Sequence, residues 1–122
     1  MSAAGPRPWP LEIRVRRAEK VLEVDYDDGR NFRLPAELLR VESPSAEVQQ
    51  HGGEKLIVPG KRHVGIRDIE AVGHYAVRLT FDDGHDTGIY TWGYLRELGE
   101  QQDTIFARYL AALQDKRLSR EG

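Results

Sequence analysis

The sequence contains no cysteine, and this absence excludes several kinds of chemistry at once. Without thiols the chain forms no disulfides and offers no thiolate nucleophile, no cysteine zinc site and no cysteine-ligated iron–sulfur cluster. A run of about 18 apolar residues, the length that spans a membrane, is also missing. The first residues lack the apolar stretch of a secretion signal, so we expect a cytoplasmic protein with no membrane partner.

Neither sign of charge is in large excess. The 18 Lys and Arg residues are balanced by 20 Asp and Glu residues, which gives a net charge of −2 at pH 7. Proteins that bind nucleic acids usually carry a basic excess, and we therefore predict no nucleic-acid partner. One local basic stretch has no interleaved aromatic residues and is interpreted as a solvated loop: Lys55, Lys61, Arg62, His63 and Arg67.

A chain of 122 residues, 39% of them hydrophobic, has the size and composition of one folded domain. Residues 1–10 are rich in proline and glycine, and we predict a flexible lead-in there. Residues 11–99 are predicted to form the domain, with an irregular loop over residues 41–62. Residues 100–122 are predicted to form a C-terminal helix and a charged tail that frays after Lys116.

Two segments of the chain follow the same pattern. Apolar and polar residues alternate through Val21–Tyr26 and again through Ala76–Phe81, which is the period of a half-buried strand. Each run leads into Asp-Asp-Gly, a strong hairpin signal, and then into a short strand and a short helix. Pro35 and Thr91 are predicted to begin these helices, and Gly99 is predicted to end the second one. With an earlier strand before each hairpin, the sequence predicts an α+β fold, mainly antiparallel β, with two similar β-rich halves, short helices and a C-terminal helix.

Short motifs follow one another through the second half: Asp83-Gly-His85, Gly88-Ile-Tyr90, Trp92 and Tyr94-Leu-Arg96. In these motifs the chain, from residue 11 to about residue 99, resembles the gamma-butyrobetaine hydroxylase-like N-terminal domain family. In that family the domain occurs alone in bacteria, precedes the catalytic domain of some 2-oxoglutarate oxygenases and follows some iron–sulfur carrier ATPases. The resemblance implies a non-enzymatic accessory or adaptor module, whose unknown protein partner belongs to iron–sulfur or iron-oxygenase pathways.

The oxygenase relatives hold a structural zinc ion with three cysteines and one histidine, and the resemblance implies where these ligands would fall. Ser43, Ser45 and Val48 stand at the positions of the thiolates, and His85 stands at the position of the histidine. A single neutral imidazole with hydroxyl neighbours is a weak ligand set for zinc. We therefore expect that this chain has lost the family zinc site and needs no cofactor.

His85 has carboxylates on both sides, and two interpretations stay open. In the first, His85 binds a divalent ion such as iron, manganese or zinc together with Asp83 and Asp86. In the second, His85 is a hydrogen-bonded residue of a hairpin turn. The remaining histidines are interpreted as scattered surface residues: His51, His63 and His74.

Aromatic residues supply the candidate partner surface. Tyr90 and Tyr94, with Arg96 in the same segment, are predicted to line a groove for a peptide or a partner domain. Trp92, which lies between the tyrosines in sequence, is predicted to anchor the core. No serine lies in a nucleophile elbow and no nucleophile–base pair is evident, so no catalytic residue is predicted.

Overall fold

The computed structural model describes residues 9–49 and 55–121. The first half of the chain contains β1 (Pro10–Arg16), β2 (Val21–Tyr26), β3 (Asn31–Pro35) and α1 (Ala36–Val41), and a short helix, α2 (Ala46–Gln49), follows. The second half contains β4 (Ile66–Val72), β5 (Ala76–Phe81), β6 (Gly88–Thr91) and α3 (Trp92–Glu100), and then comes α4 (Gln102–Asp115). Each half has its own three-stranded antiparallel sheet, in the order β1-β2-β3 or β4-β5-β6. The predicted α+β fold with two similar β-rich halves is confirmed.

Each half is built on a hairpin whose strands are joined at Asp-Asp-Gly. The glycine of this turn has a positive φ, of +88° in the first half and +93° in the second, which residues with a Cβ rarely adopt. Val24 pairs with Phe32 in the first sheet, and Leu79 pairs with Gly88 in the second. Phe32 and Gly88 therefore hold equivalent places in the two halves.

The main hydrophobic core is shared by the two halves. Alternate residues of the two central strands, β2 and β5, are buried in it, as the alternation in the sequence predicted. Helices α1 and α3 contribute further buried leucines: Leu38, Leu39, Leu95 and Leu98. A second, smaller cluster joins α4 to the end of α1 and to the segment that connects the halves: Val41, Val48, Val58, Tyr109 and Leu113. Each half thus buries its apolar face against residues of the other half.

Each half also holds the Asp-Asp-Gly turn of the other half with an arginine from its helix. Arg40 of α1 donates from Nε to Oδ2 of Asp83 at 2.7 Å. Arg96 of α3 donates to both carboxylate oxygens of Asp28, at 3.1 and 2.7 Å. The second contact repeats the first with the halves exchanged, which gives the molecule an internal pseudo-two-fold relationship.

Helix α3 begins where the sequence predicts. The Thr91 side chain accepts a hydrogen bond from the Tyr94 N–H, so Thr91 is its N-cap, whereas Pro35 stands at the N-cap position of α1 without a side-chain cap. The prediction that Gly99 ends this helix is wrong, because α3 runs one residue past it. A Cβ at Gly99 would lie 2.5 Å from the ring of Phe32. The glycine therefore allows α3 to approach the first half closely.

The folded part of the chain begins before the predicted boundary at residue 11. Strand β1 starts at Pro10, and the Trp9 N–H donates to Oδ1 of Asp27 at 3.0 Å. Residues 1–8 of the predicted lead-in lie outside the described residues. The predicted loop over residues 41–62 contains α2, and its residues 50–54, which include His51, also lie outside them.

The tail after Lys116, which the sequence predicts to fray, lies against the rest of the chain. The Gly60 N–H donates to the Ser119 carbonyl at 2.9 Å, and the Arg62 N–H donates to the Arg120 carbonyl at 3.1 Å. These partners are far apart in sequence, and a local reading of the tail therefore misses them. Within residues 9–49 and 55–121, no helix is both long and apolar enough to cross a membrane.

Candidate functional site

Several polar side chains meet at the seam between the two halves. Ser43 follows α1, and its Oγ lies 2.9 Å from Nε2 of His85, which follows the turn between β5 and β6. Glu47 belongs to α2, and its Oε1 lies 3.2 Å from Nδ1 of the same imidazole. Two further hydroxyls, those of Ser45 and Thr87, complete what we call the polar cluster: Ser43, Ser45, Glu47, His85 and Thr87.

Hydrogen bonds connect the members of the polar cluster across the seam. Oγ of Ser45 lies 2.7 Å from Oγ1 of Thr87, and Thr87 donates to Oε1 of Glu47 at 3.1 Å. Oγ of Ser43 and Oγ of Ser45 also accept backbone N–H groups of the same loop, at 3.2 and 3.1 Å. Each side chain of the cluster thus has a partner inside the cluster. The loop after α1 is thereby fastened to the second sheet.

A glycine on β6 makes room for the polar cluster. A Cβ at Gly88 would lie 2.6 Å from Oγ of Ser43 and 3.0 Å from the ring of Tyr90. The equivalent place in the first half holds Phe32, whose ring packs against Gly99. Gly99 and Ser43 each lie three residues after the arginine of their helix. In one contact the strand residue is large and the helix residue is glycine (Phe32 and Gly99). In the equivalent contact the strand residue is glycine and faces a serine (Gly88 and Ser43), so the two halves differ at the polar cluster.

Ser43, His85 and Glu47 stand in the order of a serine–histidine–acid triad, but their burial is inverted. Ser43 is fully buried, the His85 side chain is 5% exposed and the Glu47 side chain is 66% exposed. In hydrolases the serine faces the substrate and the acid lies behind the histidine. No substrate carbonyl can reach Oγ of Ser43 in this arrangement. The sequence predicted no nucleophile–base pair; the fold forms a serine–histidine contact, and it faces inward.

The three residues predicted to share a metal ion do not converge. Asp83 accepts from Arg40 Nε at 2.7 Å and lies 2.7 Å from Lys61 Nζ, so its carboxylate is already paired with two cations. Asp86 is exposed and lies 3.8 Å from Arg78. Among the described residues, no three His, Asp or Glu side chains gather as metal ligands. The carboxylates beside His85 in sequence are directed to other partners.

The residues at the family's zinc positions do not fit a zinc ion. Ser43 contacts the His85 imidazole and Ser45 contacts Thr87, but neutral hydroxyls are poor zinc ligands. Val48 is buried in the smaller core cluster against Tyr109 and Leu113. Both imidazole nitrogens of His85 already have partners. The fold fills these positions with hydrogen bonds and an apolar contact.

Two ionisable groups of the seam have shifted pKa values. Burial lowers the pKa of the His85 imidazole below its usual range, and the positive charge of Arg40 adds to this effect. Burial alone would raise the pKa of the Asp83 carboxyl, but hydrogen bonds from Lys61, the His85 N–H and Arg40 outweigh it and hold that pKa well below the usual range. The arrangement therefore favours a neutral imidazole beside an ionised carboxylate. A neutral imidazole can donate from Nδ1 to the Glu47 carboxylate and accept at Nε2 from the Ser43 hydroxyl, so both contacts are satisfied.

The predicted partner surface of Tyr90, Tyr94 and Arg96 does not form as one surface. Tyr90 is fully buried, and its hydroxyl donates to the Leu39 carbonyl, so its place on a surface was wrongly predicted. Arg96 pairs with Asp28 and lies over the ring of Tyr26, at 5.0 Å, so it serves the contact between the halves. Tyr94 lines an open groove. Trp92, predicted as a core anchor, is partly buried and packs on the main core.

The groove beside Tyr94 has a volume of about 220 Å³. Its lining combines buried apolar residues of the two longer helices with the more exposed Leu56. Tyr94 donates its hydroxyl to the Glu42 carbonyl, which fixes the ring in the groove wall. Charged residues of α3 and α4, Glu97 and Arg108, also line it. The groove combines an apolar surface with charges of both signs.

The basic stretch between the halves is largely paired with carboxylates. Its lysines and arginines form three ion pairs: Lys55 with Glu42, Lys61 with Asp83 and Arg62 with Glu121. His63 and His74 are exposed and do not join His85 in a cluster of described residues. Arg67 lies in β4, and Lys55 and Lys61 pair with largely buried carboxylates, so only part of the stretch is the solvated loop that was predicted.

Comparison with known proteins identifies the family. The chain matches the family model described as gamma-butyrobetaine hydroxylase-like, N-terminal, over residues 13–96. A protein whose structure was determined in solution by NMR is 45% identical to it, with a TM-score of 0.83 over 95% of this chain and 92% of its own. A second NMR structure is 43% identical, with a TM-score of 0.82 over 98% of this chain and 90% of its own.

A crystal structure extends the comparison to a named organism. A protein of unknown function from Acidithiobacillus ferrooxidans ATCC 23270, of the DUF971 family, is 51% identical, with a TM-score of 0.63 over 74% of this chain and 91% of its own. No curated protein matches the chain. The family match spans most of the described fold, including both Asp-Asp-Gly turns and the histidine of the polar cluster. The chain therefore belongs to the gamma-butyrobetaine hydroxylase-like N-terminal domain family.

Proposed function

We propose that this chain is a non-enzymatic adaptor domain that binds a protein partner from an iron–sulfur or iron-oxygenase pathway. The observation that carries the proposal is the inward-facing polar cluster. Its serine and histidine contact each other inside the seam, where they hold the two halves together. The proposal also draws on the settings of the family, in which the domain accompanies oxygenases and iron–sulfur carrier ATPases. The cytoplasmic location predicted from the sequence is part of it.

We assign the partner to the groove beside Tyr94. Its apolar lining includes Leu56, which is 44% exposed, and its charged residues include Glu97 and Arg108 beside the Lys55–Glu42 ion pair. An apolar centre bordered by charged side chains is the usual composition of a protein interface. Tyr94 combines a large apolar ring with a fixed hydroxyl, and tyrosine is frequent among the residues that dominate binding energy. The groove therefore fits a row of apolar side chains on the surface of a folded partner.

The test is a binding titration with purified proteins. The chain is titrated with the catalytic domain of a 2-oxoglutarate oxygenase and, separately, with an iron–sulfur carrier ATPase that lacks this domain. Leu56→Asp places a carboxylate in the groove, and Leu11→Asp is the matched control because Leu11 is 71% exposed on β1 and does not line the groove. We expect one of the two proteins to bind, with affinity weakened about tenfold or more by Leu56→Asp, equivalent to about 1.4 kcal/mol.

The adaptor proposal fails on either of two results. The first is that neither protein binds the wild-type chain. The second is that Leu11→Asp weakens binding as much as Leu56→Asp does, since the groove would then have no special role. The Leu11→Asp chain also controls for a general effect of an added surface charge.

The alternative function is a metal protein that uses His85 with Asp83 and Asp86. It would require the Asp83 carboxylate to leave two cations and the His85 imidazole to leave one of its hydrogen-bond partners. It predicts a stoichiometric ion in the purified chain that is lost in a His85→Gln variant. The adaptor proposal predicts no such ion.

A further inference from the structure

The tail carries an arginine that is seated on a buried carboxylate. Arg120 donates from Nε and Nη2 to the two carboxylate oxygens of Glu37, at 2.8 and 2.6 Å. The Glu37 side chain belongs to α1 and is only 7% exposed. Paired donation of this kind selects a guanidinium over an ammonium, because only the guanidinium presents two parallel N–H groups. The contact is therefore specific for arginine.

Other groups around Glu37 complete a seat for an extended chain segment. The guanidinium of Arg120 lies 5.3 Å from the centre of the Phe106 ring, within range of a cation–π contact. A recess of about 190 Å³ surrounds this place, and Pro35 and Leu38 are among the residues that line it. Two backbone N–H groups beside it, those of Gly60 and Arg62, donate to carbonyls of the tail. We call this arrangement the arginine seat: Glu37, Phe106, and the N–H groups of Gly60 and Arg62.

The present occupant of the arginine seat is held by polar contacts and not by burial in a core. Residues 118–121 form no helix or strand, and they contribute no residue to either core cluster. Segments with so few buried apolar contacts open at a small fraction of the global unfolding free energy. If the tail opens, Glu37 becomes a carboxylate in a mostly apolar recess without its cation. An unpaired buried charge is costly, so the empty seat favours any guanidinium that can reach it.

We propose that the arginine seat is a binding site for an arginine-bearing extended segment of a protein partner, and that Arg120 occupies it as an intramolecular competitor. The partner segment would place its guanidinium on Glu37 and Phe106. Its backbone carbonyls would accept from Gly60 and Arg62, as the Ser119 and Arg120 carbonyls do now. Recognition through backbone hydrogen bonds with one side chain in a pocket is a common mode for extended peptides. The partner segment then has to compete with the tail for the arginine seat, which lowers its apparent affinity.

This proposal does not depend on the adaptor role or on the groove beside Tyr94, because it can be tested with a synthetic peptide alone. The probe is the hexapeptide Lys-Arg-Leu-Ser-Arg-Glu, the sequence of residues 116–121. The receptor is the full chain with Arg120→Ala, which vacates the seat and keeps the rest of the tail. Binding is followed by NMR through the backbone amides of Gly60 and Arg62, which respond to a weak ligand at millimolar concentration.

We expect the peptide to bind the Arg120→Ala chain at least about tenfold more tightly than the wild-type chain. In the wild type it competes with a tethered arginine whose effective concentration is of millimolar order. A peptide with alanine in place of its second arginine should lose this binding. Glu37→Gln in the Arg120→Ala background should lose it as well. Equal binding of both peptides, or no amide shifts in the Arg120→Ala chain, would overturn the proposal.

A second measurement on the wild-type chain covers the case in which Arg120→Ala does not fold. Hydrogen exchange of the Gly60 and Arg62 amides should be at least about a hundredfold faster than that of the central-strand amides, because the tail opens locally. Exchange of these amides only at the rate of global unfolding would overturn the proposal, since the seat would never be vacated. A wild-type chain that dimerises by exchanging tails would also overturn it, because the seat would then serve a second copy.

Discussion

Arg40 on α1 reaches across the seam and donates from Nε to the Asp83 carboxylate at 2.7 Å. In the opposite direction, Arg96 on α3 donates from Nη1 and Nη2 to the Asp28 carboxylate, at 3.1 and 2.7 Å. Each half thus closes the hairpin turn of the other half, in addition to sharing one core with it. In both contacts the arginine follows a leucine of its helix, and the aspartate is the second one of its Asp-Asp-Gly turn. The fold consists of two similar halves that share one core and are linked by these two ion pairs.

We predict that Arg96→Ala destabilises the domain more than Arg78→Ala does. Both arginines donate twice to a carboxylate, but the Arg96 side chain is 14% exposed and stacks over aromatic rings, whereas Arg78 is 39% exposed on a sheet face. Exposed pairs contribute little to stability because water and salt screen them. The midpoint of urea unfolding should fall clearly for Arg96→Ala and stay near the wild-type value for Arg78→Ala. The account of the seam fails if the order is reversed.

Gly99→Ala should destabilise the domain by about 1–3 kcal/mol, because the added Cβ meets the Phe32 ring at 2.5 Å and overpacks the contact. Gly93→Ala is the control on the same helix, since no atom of residues 9–49 or 55–121 lies within 4 Å of a Cβ there. It should raise stability by up to about 1 kcal/mol through helix propensity. Both free energies of unfolding are measured by urea titration. Equal effects of the two substitutions would show that the approach of α3 to Phe32 is not required.

Ser43→Ala should cost about 1–3 kcal/mol, because it leaves Nε2 of His85 and the Ser45 N–H buried without their partner. Ser119→Ala is the matched control. Within the described part of the chain, its hydroxyl accepts only from the exposed Glu121 N–H, and its loss should change stability by no more than about 0.5 kcal/mol. Thermal and urea unfolding of both variants check this prediction. A Ser43→Ala chain as stable as the Ser119→Ala chain would mean that the polar cluster does not fasten the halves.

The stability of the wild-type chain should fall as the pH is lowered below about 6.5. The folded pKa of His85 lies below the unfolded value, so the unfolded chain takes up the proton first in this window. His85→Gln should remove part of the pH dependence, and the exposed His74→Gln should leave it unchanged. Urea midpoints between pH 7.5 and 5.5 measure the difference. A steeper fall in His85→Gln than in the wild type would contradict the sign of the shift.

Much of the fold could be predicted because its signals are local. The alternation through Leu22, Val24 and Tyr26 repeats at Val77, Leu79 and Phe81, and each run ends in the same turn tripeptide. These patterns fix the strands, the hairpins and the similarity of the two halves. Thr91 at the start of α3 is a local signal of the same kind.

The remaining features depend on contacts between distant parts of the chain. Ser43 and His85 are 42 residues apart, and Glu37 and Arg120 are 83 residues apart, so no local sequence pattern predicts either pair. Gly99 was predicted to break a helix because glycine is a weak helix former. In the structure the Phe32 ring lies so close to Gly99 that a Cβ there would clash with it. Tyr90 was predicted to line a partner groove because tyrosine is enriched in protein interfaces, while its hydroxyl has a buried partner in α1.

The central claim is that the polar cluster fastens the two halves and leaves no ligand site at His85. The most direct measurement is the metal content of the chain purified without a chelator and then equilibrated with zinc or iron, beside its His85→Gln variant. Because both imidazole nitrogens of His85 already have partners, we expect no stoichiometric ion in either form. One ion per wild-type chain that the variant fails to bind would contradict it and would make the seam a metal site.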